Sequence, residues 1–241
     1  MTSLSGRITR WIDERFYPDQ RAHWDDDLFR ERVLAVLHPD AVVLDLGAGA
    51  GILPQMDFRG HARRICGLDP DHRVLSNPYL DEARVGRGEA IPWPDGTFDV
   101  VYCDNLLEHL ADPIAVLREV ARVLRPGGWF LAKTPNRRHY MATVSRLSPH
   151  WFHVWFNARR GRRAEDVFPT VYRANTPEDV ARAAAAAGLE VDAVELVEGR
   201  PEYMRISPLT YVFGLAWERT VNATARLQRF RIVLMVRLRR P

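Results

Sequence analysis

The chain is nearly devoid of lysine. Of its 34 basic residues only Lys133 is a lysine, and arginine supplies the rest. They are almost balanced by 31 acids, leaving a net charge of +3. That is too little to point to nucleic acid, whose recognition starts from a strongly basic face. Cysteine is scarce too. Cys66 and Cys103 lie inside apolar runs, with neither metal-ligand spacing nor the pattern of a disulfide framework. No metal is expected, and a reducing, cytoplasmic setting is. Long apolar runs are missing, so no segment is expected to span a bilayer. The opening residues MTSLSGRITRWIDERFYPDQ lack the apolar core of a signal peptide.

What is present is ordinary for a globular protein: 46% apolar and 27% charged residues in 241 positions. This length suits a single domain, 1–241, with an elaboration or two. Apolar runs alternate with helical patterns, which predicts a parallel sheet with crossover helices. An N-terminal helical segment, 1–38, precedes the sheet and contains RAHWDDDLFRERVLAVL. The strands read as AVVLDL, RRICGLD, EARVGRGE, FDVVYCD and WFLAKTP. PIAVLREVARVL is a helix, with Pro113 at its start and RPGG closing it. The rhythm stops over 136–175, a stretch rich in aromatics, histidine and arginine and too long for a plain connection. It resumes with a helix that Thr176 caps, Pro177 starts and Gly188 ends. A strand to about Val197, a helical segment from Leu209 to Leu227 and a last strand in FRIVLMVRLRR follow.

The first strand runs into VVLDLGAGAGIL, where Gly47, Gly49 and Gly51 precede an expected helix. Glycines at such a turn let the backbone bend tightly and a ligand come close. A dinucleotide fingerprint would need its third glycine at position 52, which is Ile52. Asp45, two residues before the first glycine, would crowd a pyrophosphate and suits an amine-bearing ligand. Asp69 ends the next strand, where a carboxylate accepts hydrogen bonds from ribose hydroxyls.

These residues, together with GLDPD, GEAIPWPDGTFDVVYCDNLLEHLADP, REVARVLRPGG and TPN, closely resemble class I S-adenosylmethionine-dependent methyltransferases, the type 11 family above all. The resemblance spans roughly 42–136. It implies an α/β, Rossmann-like, seven-stranded and mostly parallel sheet with flanking helices, an antiparallel last strand, and an aromatic-rich insertion after strand 5. It implies S-adenosylmethionine as cofactor and S-adenosylhomocysteine as product. Asp45 and the Gly47–Gly51 backbone, Ala48 included, would hold the methionine portion. Asp69 would hold the ribose, with Pro70 near the adenine. Residues of 87–91, Glu89 and Ala90 among them, would edge the adenine, and Asn105 and Leu106 would contact the amino-acid end. Where the family often carries an acid facing the adenine amine this chain has Arg87, so Glu89 or a backbone carbonyl must take over.

The expected activity is methyl transfer to a small-molecule or lipid-like acceptor, at oxygen. A glycan or cell-envelope acceptor, a cofactor-binding pseudoenzyme and, more distantly, a dehydrogenase are the alternatives. SNPYL faintly resembles the N-P-P-Y motif of nucleic-acid amino methyltransferases, but it falls after the wrong strand and reads as a turn at Asn77-Pro78. The 136–175 insertion is expected to form a lid, with Tyr140, Trp151, Phe152, Trp155, Phe156 and Tyr172 as acceptor-pocket candidates. A satellite core and a dimer interface are the other uses for those aromatics. His109 is the candidate base or helix-positioning residue, with His139, His150 and His153 behind it. ARRGRR reads as a solvated loop or a phosphate grip. Arg237, Arg239 and Arg240 read as keeping a sheet edge soluble or as a peripheral membrane contact.

Overall fold

In the computed structural model, which describes residues 4–19, 24–147 and 169–241, seven strands form one sheet. They are β1 (Val42–Leu46), β2 (Arg64–Asp69), β3 (Glu82–Val85), β4 (Phe98–Asp104), β5 (Leu124–Pro135), β6 (Glu190–Val197) and β7 (Val233–Arg239). Their spatial order is β3-β2-β1-β4-β5-β7-β6, and only β7 runs antiparallel to its neighbours. The central strands are apolar at nearly every position because both faces are covered. Val43 and Val100 face one layer while Leu44 and Val101 face the other, the period-2 alternation of a strand. Phe29 and Val33 of α2 (Trp24–Leu34) cover the first face. Val116, Leu117 and Val120 of α3 (Pro113–Val123) and Val180 and Ala184 of α5 (Pro177–Ala186) cover the second. The remaining helices are α1 (Leu4–Phe16), α4 (Tyr140–Leu147) and α6 (Pro208–Ala223).

Local chemistry sets the helix starts. Asp112, Thr176 and Ser207 each accept a backbone N–H of the first turn, and a proline follows each of them. The order antiparallel β7, parallel β6 brings the ends of β1, β2, β4, β5 and β6 and the start of β7 to one rim of the sheet. Ligands bind at this rim in open α/β sheets.

Three expectations change. No α-helix follows the glycine turn; only a short 3-10 turn, Pro54–Met56, stands between β1 and β2. Pro54 opens this turn, Gly60 sits at φ +82°, and the Arg30 guanidinium of α2 takes the Gln55 and Asp57 carbonyls at 2.7 and 2.5 Å. Those carbonyls are thereby satisfied without a helix. The segment expected to be helical from Leu209 to Leu227 is α6 followed by a 3-10 stretch, Ala225–Phe230. The C-terminal arginines do not guard an edge, since β7 lies inside the sheet. Arg237 donates to Asp192 at 2.5 Å, and the Arg237 and Arg239 guanidinium groups lie over the Trp129 ring. Arg240 donates to the carbonyls of Arg122 and Leu124.

Candidate functional site

Gly47, Gly49 and Gly51 all have positive φ, at 85°, 51° and 68°. L-residues avoid this region, so the loop shape requires glycine there. The Gly47 N–H donates to the Leu68 carbonyl, which ties the loop to β2. A Cβ on Gly49 would meet nothing within 4 Å, so the loop leaves open room at its middle. Asp69 closes the loop from below: its carboxylate accepts the Gly49 N–H at 2.9 Å and the Asp71 N–H at 2.7 Å. Burial raises its pKa, and these two N–H donors oppose the rise.

Asn77 has a role that its sequence context does not reveal. Its side chain is buried and donates to the carbonyls of Ala48 and Gly49, at 3.0 and 3.3 Å, while its oxygen accepts the Tyr79 N–H. A Cβ on Gly51 would stand 2.3 Å from that oxygen. The SNPYL turn therefore clamps the glycine loop. An Asn-Pro pair signals a turn, but nothing local to it says that the turn reaches back some thirty residues.

Asp45 lies beside Tyr102 in the β1/β4 register and is only 6% exposed. Burial pushes its carboxyl up to about 7; the Tyr102 hydroxyl opposes this, and Asp104 and Asp69 add to it. Asn105 sits just past β4 in the left-handed region, φ 51°, with its N–H on the Lys133 carbonyl at 2.8 Å. A strained non-glycine residue here marks a place the surroundings hold deliberately. Leu106 packs over Gly47, 3.3 Å from where a Cβ would be. Asp45, the glycine loop, Asp69, Asn105 and Leu106 thus come together at the ends of three adjacent strands. Pro70, Glu89 and Ala90 form the exposed rim beyond β2 and β3, where Arg87 lies 3.8 Å from Glu89. Among the described residues, the side-chain and backbone partners of the glycine loop itself are carboxylate, amide and main-chain groups, with Arg87 out at the adenine rim. Such a donor set fits the ammonium and ribose hydroxyls of S-adenosylmethionine and would repel a pyrophosphate.

The other half of the rim is built around His109, in the 3-10 turn Leu107–His109. Its Nδ1 lies 2.8 Å from the Pro169 carbonyl. A carbonyl only accepts, so Nδ1 carries the proton and Nε2 holds the basic lone pair. The Glu108 carboxylate lies 3.9 Å from that Nε2 and accepts the Thr134 hydroxyl at 2.8 Å. The Glu108 carbonyl takes the N–H groups of Val171 and Tyr172, pinning the returning end of the insertion. Tyr172 is buried there with φ 52°, and Asn175 donates to Thr134 at 2.6 Å.

His139 is not an open-site histidine. It is 1% exposed, its Nδ1 accepts the Met141 N–H at 3.2 Å, and burial pulls its pKa down to about 3. Its Nε2 faces the buried Glu198 carboxylate across 3.6 Å. Tyr140 is half-buried, with its ring against His139 and, at 5.2 Å, Trp217 of α6. The candidates Trp151, Phe152, Trp155, Phe156, His150 and His153 lie outside the described residues, as does ARRGRR. At the rim beyond β5 and β6, Trp217 of α6 packs against His139 and Tyr140 and Asn222 donates to the Glu198 carbonyl at 3.3 Å, while Ile12 of α1 and Tyr17 just past it pack on Tyr211 of α6.

Known proteins resemble this chain in sequence and in fold. A family model described as a methyltransferase domain matches residues 20–194. The ubiquinone biosynthesis O-methyltransferase of Thiobacillus denitrificans is 30% identical over 197 residues, covering 75% of each chain. An S-adenosylmethionine-dependent methyltransferase from Mesorhizobium loti has a similar fold, with TM-score 0.59 and 19% identity over 92% of this chain and 99% of that one. The geranyl diphosphate C-methyltransferase of Streptomyces coelicolor, solved with S-adenosylhomocysteine, is similar at TM-score 0.55 and 16% identity, over 90% and 79%. The same fold thus serves carbon acceptors as well as oxygen ones, and the fold alone does not choose the atom.

Proposed function

Because this chain belongs to the class I S-adenosylmethionine-dependent methyltransferases, we propose that it methylates a hydroxyl oxygen, of phenol type, on a small lipid-like acceptor. The observation that carries the choice of oxygen is the match over three-quarters of each chain to a relative named as an O-methyltransferase of ubiquinone biosynthesis. When bound, the cofactor supplies an electrophilic methyl on a sulfonium. Asp45 would hold its cationic amine, the Gly47–Gly51 backbone would cradle the amino-acid portion, and Asp69 would accept the ribose hydroxyls.

His109 is the proton acceptor in this reading. The Pro169 carbonyl holds the proton on Nδ1, so Nε2 receives the hydroxyl proton as the oxygen attacks. The imidazolium that forms lies near the Glu108 carboxylate, which would stabilise it. Tyr140 and Tyr172, both on the insertion's described ends, are proposed to shape the acceptor side. The test is release of S-adenosylhomocysteine with a panel of phenolic, amine and carbon acceptors bearing apolar tails. Turnover confined to hydroxyl acceptors is expected; turnover only on amines or carbon would overturn the oxygen assignment. His109→Gln should lower turnover by about 10²–10⁴-fold at unchanged cofactor affinity. A loss below about tenfold, outside that range, would leave positioning alone as the mechanism.

A further inference from the structure

Two helices at the rim present apolar residues to solvent. On α1, Leu4, Ile8 and Trp11 repeat at i, i+4 and i+7, forming one stripe. They are 71%, 39% and 58% exposed, whereas Ile12, one turn on from Ile8 at the edge of the stripe, is buried in a cluster with Tyr17 and Tyr211. On α6, Leu209, Val212 and Phe213 form a second stripe, opposite the buried Tyr211, Gly214 and Glu218. The two helices are tied to each other at this end. Asp13 of α1 accepts from Arg205 at 2.7 Å and from the Tyr211 hydroxyl at 2.5 Å, and Tyr17 stacks on Tyr211. Exposed apolar stripes on two linked helices are more than the scattered exposure of an ordinary surface.

We propose that α1 and α6 form a docking face for an anionic lipid bilayer. The charge around the stripes selects this occupant. Arg7, Arg10 and Arg15 are exposed on α1, while Asp13 is engaged inward and Glu14 is the helix's other acid. Among the described residues neither Arg7 nor Arg10 joins an ion pair with a carboxylate. Basic residues beside an apolar stripe with a tryptophan are the composition of a helix that lies in the headgroup region. The contact is peripheral, since among the described residues no helix is long and apolar enough to cross a membrane. It also lies beside the acceptor side of the site: Trp217 of α6 contacts both His139 and Tyr140. The C-terminal arginines play no part, being engaged within the sheet. This inference stands on the two helices and does not depend on the acceptor's identity.

The experiment is co-sedimentation of the full chain with phosphatidylcholine vesicles, with and without phosphatidylglycerol, at low and high salt. The wild type should pellet with the anionic vesicles, less at high salt, and weakly with neutral ones. Trp11→Glu with Phe213→Glu should lower partitioning more than tenfold. Arg7→Gln and Arg15→Gln should each lower it by about fivefold on anionic vesicles only. Cofactor affinity and melting temperature should stay unchanged in all variants, which separates this face from the cofactor site. No pelleting of the wild type, or equal pelleting of the Trp11→Glu, Phe213→Glu variant, would overturn the proposal. A concentration-dependent dimer that this variant dissociates, without vesicle binding by the wild type, would assign the face to a second copy instead.

Discussion

At the scale of single residues the glycine loop is governed by two carboxylates and an amide. Asp45 is the most informative of them, because burial holds its pKa at about 7 instead of the usual carboxylate value. A cationic amine beside it favours the ionised form. Binding S-adenosylmethionine should therefore expel a proton from Asp45 at and below neutral pH. Below pH 7 the affinity should rise by up to about tenfold for each step of one in pH, the equivalent of about 1.36 kcal/mol, and level off above it. Calorimetry from acid to mildly alkaline pH, in buffers of different ionisation enthalpy, reads both the affinity and the proton. Asp45→Asn should bind weakly and with no such slope; a slope retained in that variant would remove Asp45 from the amine site. Asp45 and Asp69 stood out in the sequence because one lies two residues before Gly47 and the other ends the next apolar run. Asn77 did not, since its hydrogen bonds join two turns that only the fold brings together.

Among elements, the strands and the capped helices were readable from the chain, and the cover over the rim was not. FDVVYCD matches β4 residue for residue, and Thr176 caps α5 with its hydroxyl on the Asp179 N–H. Periodicity and caps are local signals, so they survive folding unchanged. The missing helix after Gly51 goes with Pro54 and Gly60, which the chain shows, and with Arg30, a side chain from another element that no local pattern records. The same limit hid the role of the only lysine. Lys133, on β5, is buried among Asp25 and Asp26 of α2 and Asp104 of β4, with Asp25 at 3.0 Å and Asp104 at 3.1 Å. Burial opposes its charge, yet the three aspartates together hold its pKa above the usual lysine value. This cluster fastens α2 to the sheet beside the site. Lys133→Met would leave the carboxylates uncompensated and should cost about 3–5 kcal/mol. Urea unfolding at pH 8 is the measurement. The loss should shrink near pH 5.5, where Asp104, pushed up to about 7 by burial and partly relieved by Lys133, keeps its proton without the lysine. A loss under about 1 kcal/mol at pH 8, the scale of an exposed pair, would mean that α2 is held by its apolar face alone.

For the molecule as a whole, buried carboxyls at the rim set how stability depends on pH. Asp45 and Asp104 are pushed up to about 7, and Glu198 to about 8, burial being the main cause in each. In the unfolded chain all three titrate near 4. Between about pH 4 and 8 the folded protein therefore binds more protons than the unfolded chain, and stability falls as pH rises across that window. His139 acts in the opposite sense. Burial lowers its pKa to about 3, so below about 6.5 the unfolded chain takes up a proton that the folded state refuses. One histidine against three carboxyls leaves the carboxyls dominant. The cofactor-free protein should thus melt at a higher temperature at pH 5.5 than at pH 8, contrary to a protein whose stability rests on ionised surface pairs. Adding S-adenosylmethionine should narrow the difference, because it stabilises the ionised form of Asp45 and binds most tightly at the alkaline end. Glu198→Gln should flatten the profile further at its upper end, around pH 8, without touching cofactor affinity, since Glu198 faces His139 and not the glycine loop. Scanning calorimetry across this range, with and without cofactor, decides the matter. A melting temperature that rises steadily from pH 5.5 to 8 would show that these carboxyls are ionised in the folded protein and that water reaches the rim.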